Sequence, residues 1–227
     1  MKIYDAHEYC QGADDGKWLQ LRFGKVTASE IGRILTNELK IRDSKGVDSY
    51  VAEKLAEVWR GVPNPSFGSK ATDNGTLYEM DSRAAVMLAC EIEPDQMLQV
   101  GFCETDDGLA GCSPDGLIES DYMGLGPGGL ELKNPGPAKH AAYLITDELP
   151  ADYYLQTHMS MAVTGRQWWL FASASMGGAA IGHKSLPLFL KFVRRDEKIC
   201  AAIGKAVAAF QEKFTAGMER LKKYESQ

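Results

Sequence analysis

The sequence predicts a mixed α/β (α+β) fold, in which a central mixed β-sheet is flanked by helices. Two observations predict it. Helical patterns fill most of the first 95 residues and recur towards the C terminus, whereas short strand-like apolar runs lie between them. The strands first follow one another and then alternate with helices, an order typical of a mixed sheet with helices on its faces.

Three helices are predicted in the N-terminal part. Polar residues that cap helices precede the first two, and Gly61 follows the second in the position that ends many helices. The third has an apolar side with helical spacing. The three are a short helix to Leu35 capped by Thr27 or Ser29, a helix Tyr50–Arg60 opened by Asp48 or Ser49, and a helix Asn74–Glu91.

Five strands and three further helices are predicted after residue 95. The glycine-rich turn Gly124–Gly129 predicts a hairpin between the second and third strands. The strands are Met97–Cys103, Leu109–Ile118, Gly129–Lys133, Gln167–Ser173 and Leu186–Arg195. The helices are Pro137–Thr146, Pro150–Val163 and Asp196–Lys223.

The 227 residues predict one domain, with a helical part at about 1–95, a sheet core at about 96–195 and a closing helix at 196–223. No apolar run has the length of a membrane span, and the N terminus lacks the apolar core of a signal peptide. The five cysteines are odd in number and have no Cys-x-x-Cys pair. We therefore expect a cytoplasmic protein with reduced thiols.

The formal net charge is −6, and the acidic residues are concentrated in one segment. Residues 61–135 contain three Lys or Arg and thirteen Asp or Glu residues. Such a segment repels phosphate unless metal ions screen it, so the distribution fits a metal site between more basic surfaces. An acidic solvated face would explain part of it.

Asp115, Glu131 and Lys133 are the candidate catalytic residues. Glu131 and Lys133 are two apart on a predicted strand, so their side chains leave the same face. A hairpin would bring Asp115 beside them. Two carboxylates favour a hard divalent cation such as Mg²⁺, and an adjacent lysine can orient the attacking water in phosphodiester hydrolysis. Considered singly, each residue has a simpler structural explanation: Asp115 as a turn residue, Glu131 as an exposed strand residue and Lys133 as a lysine at a strand end.

Other residues extend this candidate site. The Leu132 carbonyl could reach a metal from the strand edge. Glu79 is either a third metal carboxylate or the partner of Arg83 one helical turn away. Gln156 and Tyr153 are one helical turn apart, where Gln156 could hold water or phosphate and Tyr153 is a candidate for DNA contact. Phosphate contacts are predicted for Arg22, Ser29 and Ser113 and, in the basic loop Lys40–Lys45, for Arg42.

Taken together and in this order, these motifs resemble the phage lambda exonuclease or YqaJ-type viral recombinase family, and the chain is similar to a diverged phage or prophage member. The resemblance runs from about Trp18 to the final helix. The motifs are Trp18…Leu21-Arg22…Thr27-Ala28-Ser29-Glu30, Gly75…Tyr78-Glu79, Cys112-Ser113-Pro114-Asp115-Gly116, Leu130-Glu131-Leu132-Lys133 and Gln156…Ser160-Met161.

The resemblance implies a restriction-endonuclease-like nuclease core and a 5′→3′ exonuclease on double-stranded DNA. Such an enzyme releases 5′-mononucleotides and leaves 3′ overhangs for phage-type recombination. It further implies a site with two Mg²⁺ ions, for which Mn²⁺ could substitute, held by Asp115, Glu131, the Leu132 carbonyl and Glu79. Lys133 and Gln156 would place the water, and a pocket for the 5′-phosphate would be formed by Arg22, Ser29 and Ser113.

The resemblance also implies a ring-shaped homotrimer on duplex DNA ends, a phage single-strand annealing protein as partner, and the cytoplasm of a bacterial host. Two alternatives remain open from the residues. One is a structure-specific or site-specific endonuclease or junction resolvase on the same fold. The other is a non-catalytic recombination scaffold, which would not need Asp115, Glu131 and Lys133.

Overall fold

Helices precede, separate and follow the strands along the chain. The computed structural model describes residues 1–8, 15–62, 70–175 and 185–225, and only the backbone of Asp15 and of 70–77. The α-helices in these ranges are α1 (Asp15–Leu21), α2 (Lys45–Arg60), α3 (Lys70–Ala89), α4 (Pro137–Thr146), α5 (Ala151–Thr164) and α6 (Glu197–Glu225). The strands are β1 (Lys2–Asp5), β2 (Val26–Thr27), β3 (Met97–Leu98), β4 (Val100–Glu104), β5 (Ala110–Cys112), β6 (Gly116–Ile118), β7 (Gly128–Lys133), β8 (Trp168–Ser173) and β9 (Phe189–Arg194).

The strands form two mixed sheets, which confirms the mixed α/β class. One sheet has the order β1-β4-β5-β2, and the other has the order β3-β6-β7-β8-β9. In the first, β2 pairs parallel to β5, with Val26 opposite Ala110. In the second, β7 pairs antiparallel to β6 and parallel to β8, with Glu131 opposite Phe171. The connection from β7 to β8 carries α4 and α5, as a parallel pair requires.

The prediction of one continuous strand over Leu109–Ile118 is wrong. The segment divides at Ser113–Asp115 into β5 and β6, which belong to different sheets. Pro114 lies in the break, and proline has no N–H to donate to a strand ladder. The predicted hairpin is nevertheless formed, because Gly116 pairs with Leu130. The predicted strand Met97–Cys103 similarly divides into β3 and β4.

Helix termini follow the capping residues in part. Gly61 ends α2 with φ 66°, and the Asp196 carboxylate accepts from the N–H of Lys198 at 2.8 Å at the start of α6, as predicted. The opening of α2 at Asp48 or Ser49 is wrong, since α2 begins at Lys45. The predicted helix after Thr27 is a 3₁₀ helix over Ala28–Arg33, and the Thr27 side chain does not cap it.

The core lies on both faces of the five-stranded sheet. Alternate residues of β7 and β8 bury opposite sides, so Trp169 joins the cluster under α5 whereas Trp168 and Leu130 pack with the cluster near α3. A Cβ at Gly129 would lie 2.3 Å from the Trp169 ring, so a glycine is required for this close packing. Helix α5 is thereby held against the face that carries Glu131.

Within the described ranges, no helix has both the length and the apolar composition needed to cross a membrane. Four cysteines are described, Cys90, Cys103, Cys112 and Cys200, and all four are free thiols. Cys10 lies outside the described residues.

Candidate active site at the junction of the two sheets

Asp115 lies where the chain passes from one sheet to the other, directly before β6. Its N–H donates to the Leu130 carbonyl at 3.1 Å, and its carboxylate Oδ2 accepts from the Leu132 N–H at 2.5 Å. Strand β6 begins at Gly116, opposite Leu130, and does not pair with β7 beyond that residue. The Asp115 carboxylate therefore binds the edge of β7 that β6 leaves unpaired. The N–H and C=O of one strand residue point to the same side, so the Leu132 carbonyl faces this edge too.

Glu131 is buried, with 2% of its surface exposed, on the α5 face of β7. Its Oε1 accepts from Gln156 Nε2 at 2.5 Å and is ion-paired with the Lys133 ammonium. Burial raises the pKa of Glu131 to about 7, with Lys133 opposing this rise and Asp115 adding to it. The negative charge of Asp115 therefore acts on Glu131, in agreement with the prediction that a hairpin brings the two carboxylates together.

Lys133 stands at the end of β7, with its side chain about a third exposed. Burial lowers the pKa of its ammonium, but Glu131 and Asp115 outweigh that effect and raise it, so Lys133 stays protonated at neutral pH. Its Nζ lies 5.6 Å from the centre of the Tyr153 ring, which in turn packs on Phe171. The structure thus places Tyr153 beside Lys133, where a cation–π contact holds the lysine.

The predicted phosphate residues line the same cavity as the acids and Lys133. Arg22 Nη2 donates to Ser29 Oγ at 3.3 Å and to Thr27 Oγ1 at 3.1 Å. Its guanidinium carbon lies 4.6 Å from the centre of the Trp18 ring, and Trp18 Nε1 donates to Ser113 Oγ at 2.9 Å. The parallel pairing of β2 with β5 brings these two segments together.

These side chains enclose one cavity of about 260 Å³, hereafter the central cavity. It contains the two acids, the lysine, the glutamine and the three phosphate-binding candidates at close quarters. Its lining residues are Trp18, Arg22, Thr27, Ala28, Ser29, Ser113, Asp115, Glu131, Lys133, Gln156 and Ser160.

Four candidate residues do not line the central cavity: Leu132 and Tyr153, which contact Asp115 and Lys133 as described above, and Glu79 and Arg42. Glu79 lines a neighbouring cavity of about 300 Å³ that shares Trp18, Ser113 and Asp115 with it. Glu79 is ion-paired with Arg83, and its pKa is raised by burial and by Asp115. The ion pair with Arg83 is therefore formed, and metal binding by Glu79 stays a prediction.

Arg42 lines a third cavity, of about 480 Å³, which shares Ser29 and Gln156 with the central cavity. Its Nε donates to the Gly32 carbonyl at 2.9 Å. Because neighbouring cavities share lining residues, the three together line one concave surface that runs from Arg42 past the acids to Glu79. Arg42 is thus at one end of this surface, one cavity away from the acids.

Four lining residues of the central cavity, Trp18, Thr27, Ala28 and Ser160, were not predicted as site residues, although all four lie in the motifs of the family resemblance. Ser160 follows Gln156 by one helical turn on α5 and is 1% exposed, so helical spacing could have found it. Apart from its place in a motif, Thr27 was predicted only as a helix cap. Its contact with Arg22 depends on a two-residue strand, for which the sequence offers no local signal.

The donor set at the β7 edge fits a hard divalent cation. The two carboxylates of Asp115 and Glu131 and the Leu132 carbonyl supply oxygen ligands, the kind that Mg²⁺ binds. Burial raises the pKa of Glu131 and the Asp115 charge adds to that rise, and a cation between the two carboxylates would offset both effects. In the described part of the chain, no three His, Cys, Asp or Glu side chains cluster in a way that could hold a metal ion.

Comparison with known proteins gives one family match. A model of the YqaJ-like viral recombinase domain matches residues 17–167, more than half of the chain and all of the central cavity. No curated protein matches the sequence.

Three solved structures are similar in fold. An alkaline exonuclease from Laribacter hongkongensis, LHK-Exo, is 27% identical, with a TM-score of 0.76 over 92% of this chain and 97% of that chain. The same enzyme in complex with dAMP is 28% identical, with a TM-score of 0.75 over the same shares, 92% and 97%. A phage-related exonuclease from Haemophilus somnus 129PT is 12% identical, with a TM-score of 0.63 over 90% of this chain and 99% of that chain, and so shares the fold.

Proposed function

Because the chain belongs to the YqaJ-like viral recombinase family, we propose that it is a DNA exonuclease that acts in recombination. In full, the proposed activity is Mg²⁺-dependent 5′→3′ digestion of double-stranded DNA, with release of 5′-mononucleotides and formation of 3′ overhangs. The observation that carries the proposal is the central cavity, in which a two-acid, one-lysine set faces a serine- and arginine-lined pocket.

The proposed metal ligands are Asp115, Glu131 and the Leu132 carbonyl. Bound there, Mg²⁺ would polarise the scissile phosphate and lower the pKa of a bound water. The protein fixes these ligands in advance. The Leu132 N–H holds the Asp115 carboxylate, and Gln156 and Lys133 hold the Glu131 carboxylate. We further propose that Glu79 contributes after its ion pair with Arg83 opens.

Lys133 is proposed to orient the attacking water and to stabilise the charge that develops on the phosphate. It is suited to both roles because it remains protonated and because Tyr153 and Glu131 restrict its position. Gln156 is proposed to orient Glu131 and to contact the same water. Its Nε2 donates to Glu131, which supports both roles.

The 5′ polarity is proposed from the position of the phosphate pocket. Arg22, Ser29 and Ser113 offer a guanidinium and two hydroxyl groups to the cavity that Lys133 also lines. A terminal 5′-phosphate held there would place the next phosphodiester near Asp115 and Glu131, so that each cut would release one 5′-mononucleotide. Arg42, at the far end of the concave surface, is proposed to contact the DNA backbone.

A homotrimeric ring, an annealing-protein partner and a cytoplasmic location in a bacterial host are proposed from the family resemblance. A ring would explain how a chain with a net charge of −6 holds DNA. An acidic chain can hold DNA if positive charge is confined to a channel. Native mass measurement of the purified protein tests the trimer.

The test of the function uses linear duplex DNA with a labelled 5′-phosphate, with Mg²⁺ or with chelator. We expect 5′-mononucleotides with Mg²⁺ only. Lys133→Ala should bind the duplex but digest it at least about 100-fold more slowly. Lys191→Ala, which removes a lysine paired with Asp147 away from the cavity, is the matched control and should digest normally.

A closed circular duplex distinguishes this activity from an endonuclease. An exonuclease has no end to enter, so the circle should stay intact while the linear form is consumed. Cutting of the circle would support the endonuclease alternative. Digestion of neither form, in the presence of Mg²⁺ or Mn²⁺, would support the non-catalytic scaffold.

A further inference from the structure

Glu30 does not line the central cavity, but it contacts Thr27, which does, and it joins several polar side chains in one network. Its Oε2 accepts from Thr27 Oγ1 at 3.2 Å and from the Tyr50 hydroxyl at 3.2 Å, and the Lys54 ammonium lies 3.2 Å from the same oxygen. Thr27 and Lys54 are buried, with 1% and 5% of their surfaces exposed. Burial of such groups is unfavourable unless they are paired, so this network has a defined geometry.

Thr27 connects this network to the cavity. A hydroxyl has one proton, and Thr27 directs its proton at Glu30. Its oxygen therefore presents lone pairs to the cavity, where Arg22 Nη2 donates to it at 3.1 Å. The same Nη2 donates to Ser29 Oγ at 3.3 Å, while the Trp18 ring packs on the guanidinium. One corner of the guanidinium is thus held, and within the described residues its other N–H groups have no hydrogen-bond acceptor, so they can bind a ligand.

We infer that Glu30 is a positioning residue for recognition of the terminal 5′-phosphate. It keeps Thr27 as an acceptor for Arg22, and its charge offsets the burial of the guanidinium. The inference rests on the proposed function, in which Arg22 binds that phosphate. Glu30 would act only through Thr27 and Arg22, and would touch neither the DNA nor the metal.

The charges agree with this arrangement. Burial raises the pKa of Glu30, but Lys54 and Arg22 outweigh that effect and lower it, so Glu30 is a carboxylate at neutral pH. Burial also lowers the pKa of Arg22, and Glu30 opposes this effect more than any other charged group. Loss of the Glu30 charge would therefore weaken the hold on Arg22 without altering Asp115, Glu131 or Lys133.

A neighbouring ion pair provides a matched control. Arg33 donates to both oxygens of Glu53, at 2.7 and 2.8 Å, and thereby ties the same 3₁₀ helix to α2. Glu53→Gln and Glu30→Gln thus make the same chemical change at the same helix contact. Only Glu30 accepts from the hydroxyl that holds Arg22.

The experiment measures binding, in chelator and in a Lys133→Ala background so that DNA is not digested. The probes are two short blunt duplexes, one with 5′-phosphate ends and one with 5′-hydroxyl ends. We expect the background protein to prefer the phosphate duplex. When Glu30→Gln is combined with Lys133→Ala, the preference for the phosphate duplex should fall about five- to tenfold, and the affinity for the hydroxyl duplex should not change. Added Glu53→Gln should leave the preference intact.

In the enzyme with Lys133 intact, Glu30→Gln should raise KM for the phosphate duplex and leave kcat nearly unchanged, because the reacting groups are untouched. Thr27→Val preserves side-chain shape and breaks the link to Arg22, so it should have the same effect. If thermal melting shows that Glu30→Gln is unfolded, Thr27→Val replaces it in both experiments.

Three results would overturn the inference. The preference could survive both Glu30→Gln and Thr27→Val, affinity could fall equally for both duplexes, or the background protein could show no preference. Failure of the proposed function has a different signature. The protein with Lys133 intact would not digest DNA with Mg²⁺, while a Glu30-dependent preference for 5′-phosphate ends would persist and support the inference.

Discussion

The carboxylate of Asp115 accepts a hydrogen bond from the main-chain N–H of Leu132, at 2.5 Å, on the strand that also carries Glu131. One acid of the candidate site is therefore positioned by the backbone next to the other acid. Side-chain flexibility is reduced at the place where, in the proposed reaction, a metal and a phosphate must be aligned. Such preorganisation is what catalysis by metal binding and electrostatic stabilisation requires.

Asp115→Asn should abolish digestion while preserving the fold. The amide oxygen can still accept from the Leu132 N–H, but the charge that binds the cation is lost. We expect activity to fall at least about 1,000-fold and stability to change by about 1 kcal/mol or less. Digestion rates and urea unfolding measure the two effects. Asp106→Asn is the control and should be fully active, because Asp106 is an exposed carboxylate whose ion pair is with the N-terminal ammonium of Met1.

Mg²⁺ should stabilise the folded protein through the same acids. A ligand that binds only the native state raises the melting temperature in proportion to its binding free energy. We expect a rise for the wild-type protein on addition of Mg²⁺, and little or no rise for Asp115→Asn. An equal rise in both proteins would place the cation elsewhere. Melting followed by tryptophan fluorescence gives this answer without any activity assay.

Gln156→Leu should slow digestion about 10- to 100-fold, mainly through kcat. The change removes the Nε2 donor to the buried Glu131 carboxylate, whose position the amide helps to fix. Steady-state kinetics on linear duplex DNA would show the effect. Gln167→Leu replaces an exposed glutamine at the start of β8 and is the matched control. Unchanged kinetics in Gln156→Leu would exclude Gln156 from the reaction.

His158 should make stability depend on pH. It is buried, its Nδ1–H donates to the Tyr154 carbonyl at 2.8 Å, and burial lowers its pKa below the ordinary value of 6.5. The folded state favours the neutral ring. Its contribution to stability is therefore complete above about pH 6.5 and is lost as pH falls through the lower pKa of the folded protein.

Urea unfolding at a series of pH values checks this. As pH falls from about 7 to 5, the free energy of unfolding of the wild-type protein should fall relative to that of His158→Gln. Glu131, whose raised pKa has the opposite effect on stability in this window, contributes equally to both proteins. His7→Gln, a change at an exposed histidine, should keep the wild-type slope. Equal slopes in all three proteins would contradict the assignment to His158.

Much of the fold could be predicted from local signals. The predicted helix Pro137–Thr146 has the bounds of α4, and the predicted strand Gly129–Lys133 lies within β7. Proline at a helix start, glycine-rich turns and continuous apolar runs determine these elements over a few residues. The meeting of Asp115 with Glu131 followed from the same local patterns, because a hairpin joins them.

The remaining parts depend on contacts between distant segments. Strand β2 has two residues and forms only because β5 lies beside it, eighty-four positions later at Val26 and Ala110. This pairing brings the segment with Arg22 and Thr27 to the cavity that Asp115 and Glu131 line. The division of the predicted strand Leu109–Ile118 likewise reflects the presence of a second sheet. Tertiary packing decides such features, and local propensity does not reveal them.

The segment Ser113–Asp115 joins the two sheets, and this connection has a consequence for variants far from the cavity. Ser113 directly follows β5 of the four-stranded sheet, whereas Asp115 is hydrogen-bonded to β7 of the five-stranded sheet, which also carries Glu131. The distance from the serine- and arginine-lined pocket to the acids therefore depends on how the sheets meet. A substitution that tilts one sheet against the other would shift a phosphate bound in that pocket relative to the acids, even if every residue of the cavity were kept.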